Sequence, residues 1–174
     1  MSVQRRATYV VAAGLIFGLV IGAGLGVLWW RLVPRVPLII RPEGSVPQGF
    51  QPEGYAASDV VFALLGLAAG IAVTIGLARI RREHLLSALA AALLASAAGT
   101  AAMWWVGSRL GSVDIEGLVA TTETEIVVDG PLQVTLPAAY LTWALGAAAV
   151  VTILALVDVM HGRWSVRSGR STPP

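Results

Sequence analysis

Four apolar runs, separated by two long polar stretches and one very short one, organise this chain. The first extends from Thr8 to Trp30, preceded by Arg5 and Arg6, and closes on Trp29-Trp30-Arg31. At about 1.5 Å of helical rise per residue it reaches ~34 Å, enough to cross a bilayer with modest tilt. The second, Val60–Ala78, follows Ser58-Asp59, residue types that suit a helix N-cap, and stops at Arg79, Arg81 and Arg82. The third, Leu85–Val106, again finishes near paired tryptophans, Trp104-Trp105. The fourth runs from Leu136 to Val157, with Pro137 in its first turn, where a missing N–H does no harm. No charged residue interrupts these runs, and each would have added about 2.5–3.5 kcal/mol to insertion. The pattern predicts an all-α membrane protein with a single domain over residues 1–174. Its four transmembrane helices fall at 8–30, 60–78, 85–106 and 136–157, with two longer extracytoplasmic loops at 31–59 and 107–135.

A cleavable signal peptide is the rival reading of the first run. Signal cores are about 7–15 residues long and end in a small-x-small site. This run is longer and ends in two tryptophans, so it reads as a retained span. The short connector around Arg79–His84 makes helices two and three antiparallel neighbours. Loop one carries Pro42-Glu43-Gly44, Pro47-Gln48-Gly49 and Pro52-Glu53-Gly54, a spacing that fits successive type I turns. In loop three, Asp114–Ala120 and Glu125–Val128 have strand character and Asp129-Gly130-Pro131 reads as a turn. With Val36–Ile40 as a third strand, a small β-containing outer cap is expected.

Composition agrees with a lipid-facing chain. Only 13% of residues are charged, against about 25% in a soluble domain, too few to cover a water-facing surface. There is no cysteine, hence no disulfide framework and no thiolate chemistry. All twelve basic residues are arginine, and their distribution sets the orientation. Arg5, Arg6, Arg79, Arg81, Arg82, Arg163, Arg167 and Arg170 fall on one side; Arg31, Arg35, Arg41 and Arg109 fall on the other. The eight-arginine side is expected to be cytoplasmic, which places both termini there in a multi-pass plasma-membrane protein. Eight of the ten acids lie on the outer side, so the basic pI reflects topology and not nucleic-acid binding.

Gly14, Gly18, Gly22 and Gly26 recur every four residues along one helix face, and Gly66 and Gly70 with Thr74 repeat the device. Helix three offers Ala88, Ala92, Ser96 and Thr100, and helix four Ala138, Thr142 and Gly146. Missing side chains let backbones approach closely, which drives helix association in lipid. Two uses follow: packing within the bundle, or docking onto a membrane partner or a second copy. Trp29, Trp30, Trp104 and Trp105 are expected to anchor the membrane interface, where amphipathic rings settle; a quinone or lipid-headgroup site is the sharper alternative. An offset of 75 residues lays Trp29-Trp30 on Trp104-Trp105 and Glu83 on Asp158. Duplicated helix–loop–helix hairpins would leave that trace, and so would chance.

His84 and His161, each near a carboxylate (Glu83, Asp158), do not make a metal-ligand spacing, so no metal and no cofactor is expected. Asp158 is expected to pair with Arg79, Arg81 or Arg82, or to face headgroups. The outer loops hold Glu116, Glu123 and Glu125 but no His, Cys or Lys, which argues for a solvated acidic surface over a catalytic pair. Proton-coupled transport would call for a carboxylate, His or Arg within a span, and none is present.

Trp30 leads into Pro34 and Pro37; Tyr55 and Asp59 precede Phe62 and Gly70; Gly130-Pro131-Leu132, Pro137 and Trp143-Ala144 follow. This series, over residues 8–160, resembles an actinobacterial family of small four-helix integral membrane proteins of unknown function. The resemblance implies the fold and a plasma-membrane location, and carries no activity or site residues. The expected function is therefore a non-enzymatic scaffold or accessory subunit packing through its small-residue helix faces, with the lipid bilayer and a membrane-protein partner or homo-oligomer around it. An oligomeric channel or transporter component, with Thr74, Thr100 or Thr142 along a path, is the alternative, and a lipid-acting membrane enzyme the third reading.

Overall fold

The computed structural model describes residues 3–49, 52–80 and 85–168, with side chains over 12–49, 52–79 and 90–160. Arg81, Arg82, Glu83, His84 and Arg170, together with the side chains of Arg5, Arg6, His161, Arg163 and Arg167, lie outside the described residues. Four helices are long and apolar enough to cross a membrane. These are α1 (Val3–Leu32), α2 (Pro52–Ile80), α3 (Leu85–Leu110) and α5 (Thr142–Ser168), the last preceded by a 3₁₀ turn at Pro137–Leu141. A short helix, α4 (Ile115–Thr121), and three strands, β1 (Pro37–Arg41), β2 (Gly44–Pro47) and β3 (Ile126–Asp129), cap one end.

Helix α2 begins earlier than the apolar run. Pro52 opens it, its fixed φ and absent N–H suiting a first helical position, and Glu53 places negative charge in the first turn. The third Pro-x-Gly unit is thus a helix start and not a turn. Pro42-Glu43 forms the two-residue link of a β1–β2 hairpin in which Arg41 pairs with Gly44, a glycine at φ +145°. The segment from Asp114 is helical, correcting the strand expectation. The Asp114 carboxylate accepts from Gly117 N at 3.0 Å, a helix cap that outweighs the β-propensity of Ile115 and Val119. The expected strand near Glu125 is present one residue later. It pairs antiparallel with β1, and the sheet runs β2-β1-β3, so the two loops share one structure. Leu38 and Ile40 point inward, while Ile39 lies in a row with Val46 and Val127 on the other face.

The closest helix contacts are α1 on α3 and α2 on α5, with α2 and α3 touching less. Along α1, Gly14 faces Ala91, Gly18 faces Ala95, Gly22 faces Gly99 and Gly26 faces Met103. Both series ascend together, so the pair is parallel, and each contact joins residues 77 apart in number (14 and 91, 18 and 95, 22 and 99, 26 and 103). In α2, Gly66 faces Thr142 and Trp143, and Gly70 faces Trp143 and Ala147, so this pair is parallel as well. A side chain at Gly18, Gly22, Gly26 or Gly70 would meet backbone: a Cβ on Gly18 would lie 2.9 Å from Ala95 Cα. The row of α3 that meets α1 is therefore Ala91-Ala95-Gly99, one position before the expected Ala92-Ser96-Thr100. Around the outside, Ile16, Phe17, Val20, Leu64, Leu145 and Leu156 are all more than half exposed. Apolar residues so placed on α1, α2 and α5 suit a hydrocarbon surround.

Candidate functional site

The cap end of the bundle is where buried polar chemistry gathers. Helix α2 presents Tyr55, Ser58, Asp59 and Phe62 at three- and four-residue steps, so they share a side of the helix. Phe62 is the apolar pivot, edge-on to Trp29 at 5.0 Å and to Tyr140 at 5.5 Å between ring centres. Trp29, fully buried, donates its Nε1–H to the Ser58 carbonyl at 3.1 Å. The Ser58 hydroxyl donates to the carbonyl of Gln133 at 2.7 Å. Asp59 accepts from the backbone N–H groups of Thr135 (2.8 Å) and Leu136 (3.0 Å) and from the Thr135 hydroxyl (2.5 Å).

Asp59 thus caps in trans. Its own helix has already begun seven residues earlier, and the N–H groups it satisfies precede Pro137, which has none to offer. A carboxylate at that point also meets the positive end of the turn leading into α5. The expectation that Ser58-Asp59 caps α2 is overturned: the helix starts at Pro52, Ser58 donates to a carbonyl, and Asp59 serves the chain ahead of α5. Further out, Gln48 N–H donates to Pro37 O within loop one, Gly130 N–H to Val36 O between the loops, and Leu132 N–H to Gly111 O at the end of α3. Arg41 pairs with Glu125 at 2.8 Å on the exposed face of the sheet.

Beside Asp59 an open cleft of about 470 Å³ is lined by Pro47, Pro52, Tyr55, Ala56, Asp59 and Thr135. Its walls are mostly aliphatic or aromatic, and Asp59, 7% exposed, is its one ionisable carboxylate. It brings together no nucleophile and base. Among the described residues no three His, Cys, Asp or Glu side chains are grouped to hold a metal ion.

The structure divides the expected site residues. Gly14, Gly18, Gly22 and Gly26 lie against α3, and Gly66 and Gly70 against α5, within one chain. The four tryptophans do not form one belt. Trp104 and Trp105 are 43% and 56% exposed, but Trp29 is a core residue, covering Gly107, where a Cβ would lie 2.6 Å from its ring. Trp29 cannot offer its ring to a headgroup because α2 and α3 enclose it. Trp30 is half-buried under the Arg31 guanidinium at 5.8 Å, with its Nε1 unpartnered. Trp143 was not singled out as a packing residue. It fills the bundle centre against Ala69 and Val73 and covers Gly99, where a Cβ would have three atoms of its ring within 2.9 Å. A tryptophan offset by glycine on a different helix is a pairing that spacing along one helix does not reveal. The chain matches no family model, no curated protein and no solved structure, so the resemblance to the four-helix family rests on its residues alone.

Proposed function

We propose that the protein is a multi-pass plasma-membrane scaffold or accessory subunit without catalytic activity, its termini cytoplasmic and its cap extracytoplasmic. The arginine asymmetry supports the orientation, with eight on the expected cytoplasmic side and four on the cap side. The single observation that carries the scaffold reading is the cap itself. Two loops separated by a whole helical hairpin are joined strand to strand and stitched to the bundle through Ser58 and Asp59. Such a construction holds a surface rigid without assembling reactive groups on it. The small-residue faces supply the rigidity by closing the bundle on itself, which leaves the cap to meet the partner.

Photo-crosslinking residues placed at Val46, Val127 and Glu116 on the cap, and at Phe17 and Leu145 on the bundle, test this reading in native membranes. Discrete protein adducts from the cap positions, with lipid adducts from the bundle positions, are the expected result. Protein adducts confined to Phe17 and Leu145, or none from any position, refute it. Reporter fusions to both termini check the orientation, and reporters reading out on opposite faces would overturn it.

A further inference from the structure

We propose that the cleft beside Asp59 holds the primary ammonium headgroup of an aminophospholipid in the leaflet on the cap side. The inference rests on the chain spanning a bilayer and is independent of any protein partner.

The first support is level. Asp59 and Arg79 are 20 residues apart on α2, about 30 Å at ~1.5 Å per residue, which is the thickness of a hydrocarbon core. If Arg79 marks one boundary, Asp59 marks the other, where headgroups meet tails. The second is charge. The three donors on Asp59 are all neutral, and among the described residues the only ion pair is Arg41–Glu125 on the sheet. A carboxylate offers roughly four lone-pair sites, so about one remains open. The helix end it caps supplies only about half a positive charge. A buried carboxylate that lacks a cation and lines an open cleft calls for a cation from outside.

The third support is shape and lining. At about 470 Å³ the cleft suits a headgroup and not a whole lipid. Pro47, Pro52 and Ala56 give it apolar walls, and Tyr55 adds a ring of the kind that attracts ammonium groups. Val60 and Leu64 of α2 and Leu141 ahead of α5, each more than half exposed, continue an apolar surface from this level along the bundle, where acyl chains would lie. A primary ammonium can donate into the open lone pair and a quaternary one cannot. The site should therefore favour phosphatidylethanolamine over phosphatidylcholine.

Purified full-length protein in nanodiscs of mixed phosphatidylethanolamine and phosphatidylcholine, released and weighed by native mass spectrometry, tests the proposal. A charge-assisted hydrogen bond is worth about 1.5–3 kcal/mol, so ethanolamine lipid should be retained about tenfold or more over its bulk ratio. Asp59→Asn should abolish the preference. Because that change also weakens the cap, Ala56→Trp is the deciding variant: it fills the cleft and leaves all three Asp59 hydrogen bonds in place. Loss of ethanolamine-lipid retention in Ala56→Trp, with an unchanged melting temperature in detergent, is the expected result. Dodecylammonium added to the discs should displace the lipid from wild type; free ethanolamine, which lacks a chain, should not. Equal retention of the two lipids by wild type, or undiminished retention by Ala56→Trp, overturns the assignment.

Discussion

Gly22→Ala and Gly24→Ala make the same chemical change two residues apart on one helix, and the structure separates their outcomes. A Cβ on Gly22 would come within 2.7 Å of both the Cα and the carbonyl carbon of Gly99, and closer still to its oxygen. Carbon atoms rest about 3.5–4.0 Å apart, so α1 and α3 must part by about 1 Å. A gap of that size forfeits about a quarter to a half of each dispersion contact along the seam, and neighbouring backbone cannot swing aside as a flexible side chain does. Overpacking of this kind costs about 1–3 kcal/mol. Gly24 has nothing within 4 Å of a Cβ, so its replacement brings only the gain in helix propensity, about 0.5–1 kcal/mol. Propensity is common to both variants and cancels in the comparison. Reversible unfolding in mixed micelles should place Gly22→Ala below Gly24→Ala by about 1–3 kcal/mol. Equal midpoints would refute the parallel seam between α1 and α3.

Thr74 is 1% exposed with its hydroxyl unpartnered, so Thr74→Val should raise stability by about 1 kcal/mol, read as a higher melting temperature; a fall would show that the hydroxyl has a partner. Trp29→Phe removes the buried bond to Ser58 O and part of the ring over Gly107, and should cost about 1–3 kcal/mol in the same assay. The Arg41–Glu125 pair is about half exposed on both sides. Glu125→Gln should therefore cost less than about 1 kcal/mol at low salt and nothing measurable at 1 M, in a denaturant titration at two ionic strengths.

The helices were legible because exclusion of charge over about 20 residues is a strong one-dimensional signal. Their ends were less so. Pro52 starts a helix here although the same Pro-x-Gly wording ten residues earlier makes a hairpin, and what differs is the following chain: Ser45 and Val46 pair with β1, whereas Ser58 accepts from Trp29 and Phe62 packs onto Trp29 and Tyr140. The glycine row of α1 was visible, but its partner row in α3 was misplaced by one residue, because Ala91, Ala92, Ala95 and Ser96 are all small and all buried. Only the contact with Gly22 and Gly18 says which of the two rows faces α1. The tryptophan pairs suggested an offset of 75, whereas the contacts of α1 with α3 run at 77. Trp29 is enclosed and Trp104 is not, so the likeness in sequence joins rings in unlike surroundings. The partners of Asp59 escaped the sequence because they lie some 76 residues further on, and capping rules describe a helix and its own first turn.

The pairing of first helix with third has a bearing on how the chain is made. The ridge of glycines in α1 has no mate until α3 emerges, and their last residues, Leu32 and Leu110, stand 78 positions apart. At about 5–20 residues per second of synthesis, that ridge waits roughly 4–16 s. The second helix faces a similar delay before its own counterpart arrives. The first half of the nascent polypeptide, α1 and α2, must therefore wait as an unfinished hairpin until the late arrivals lock it in place.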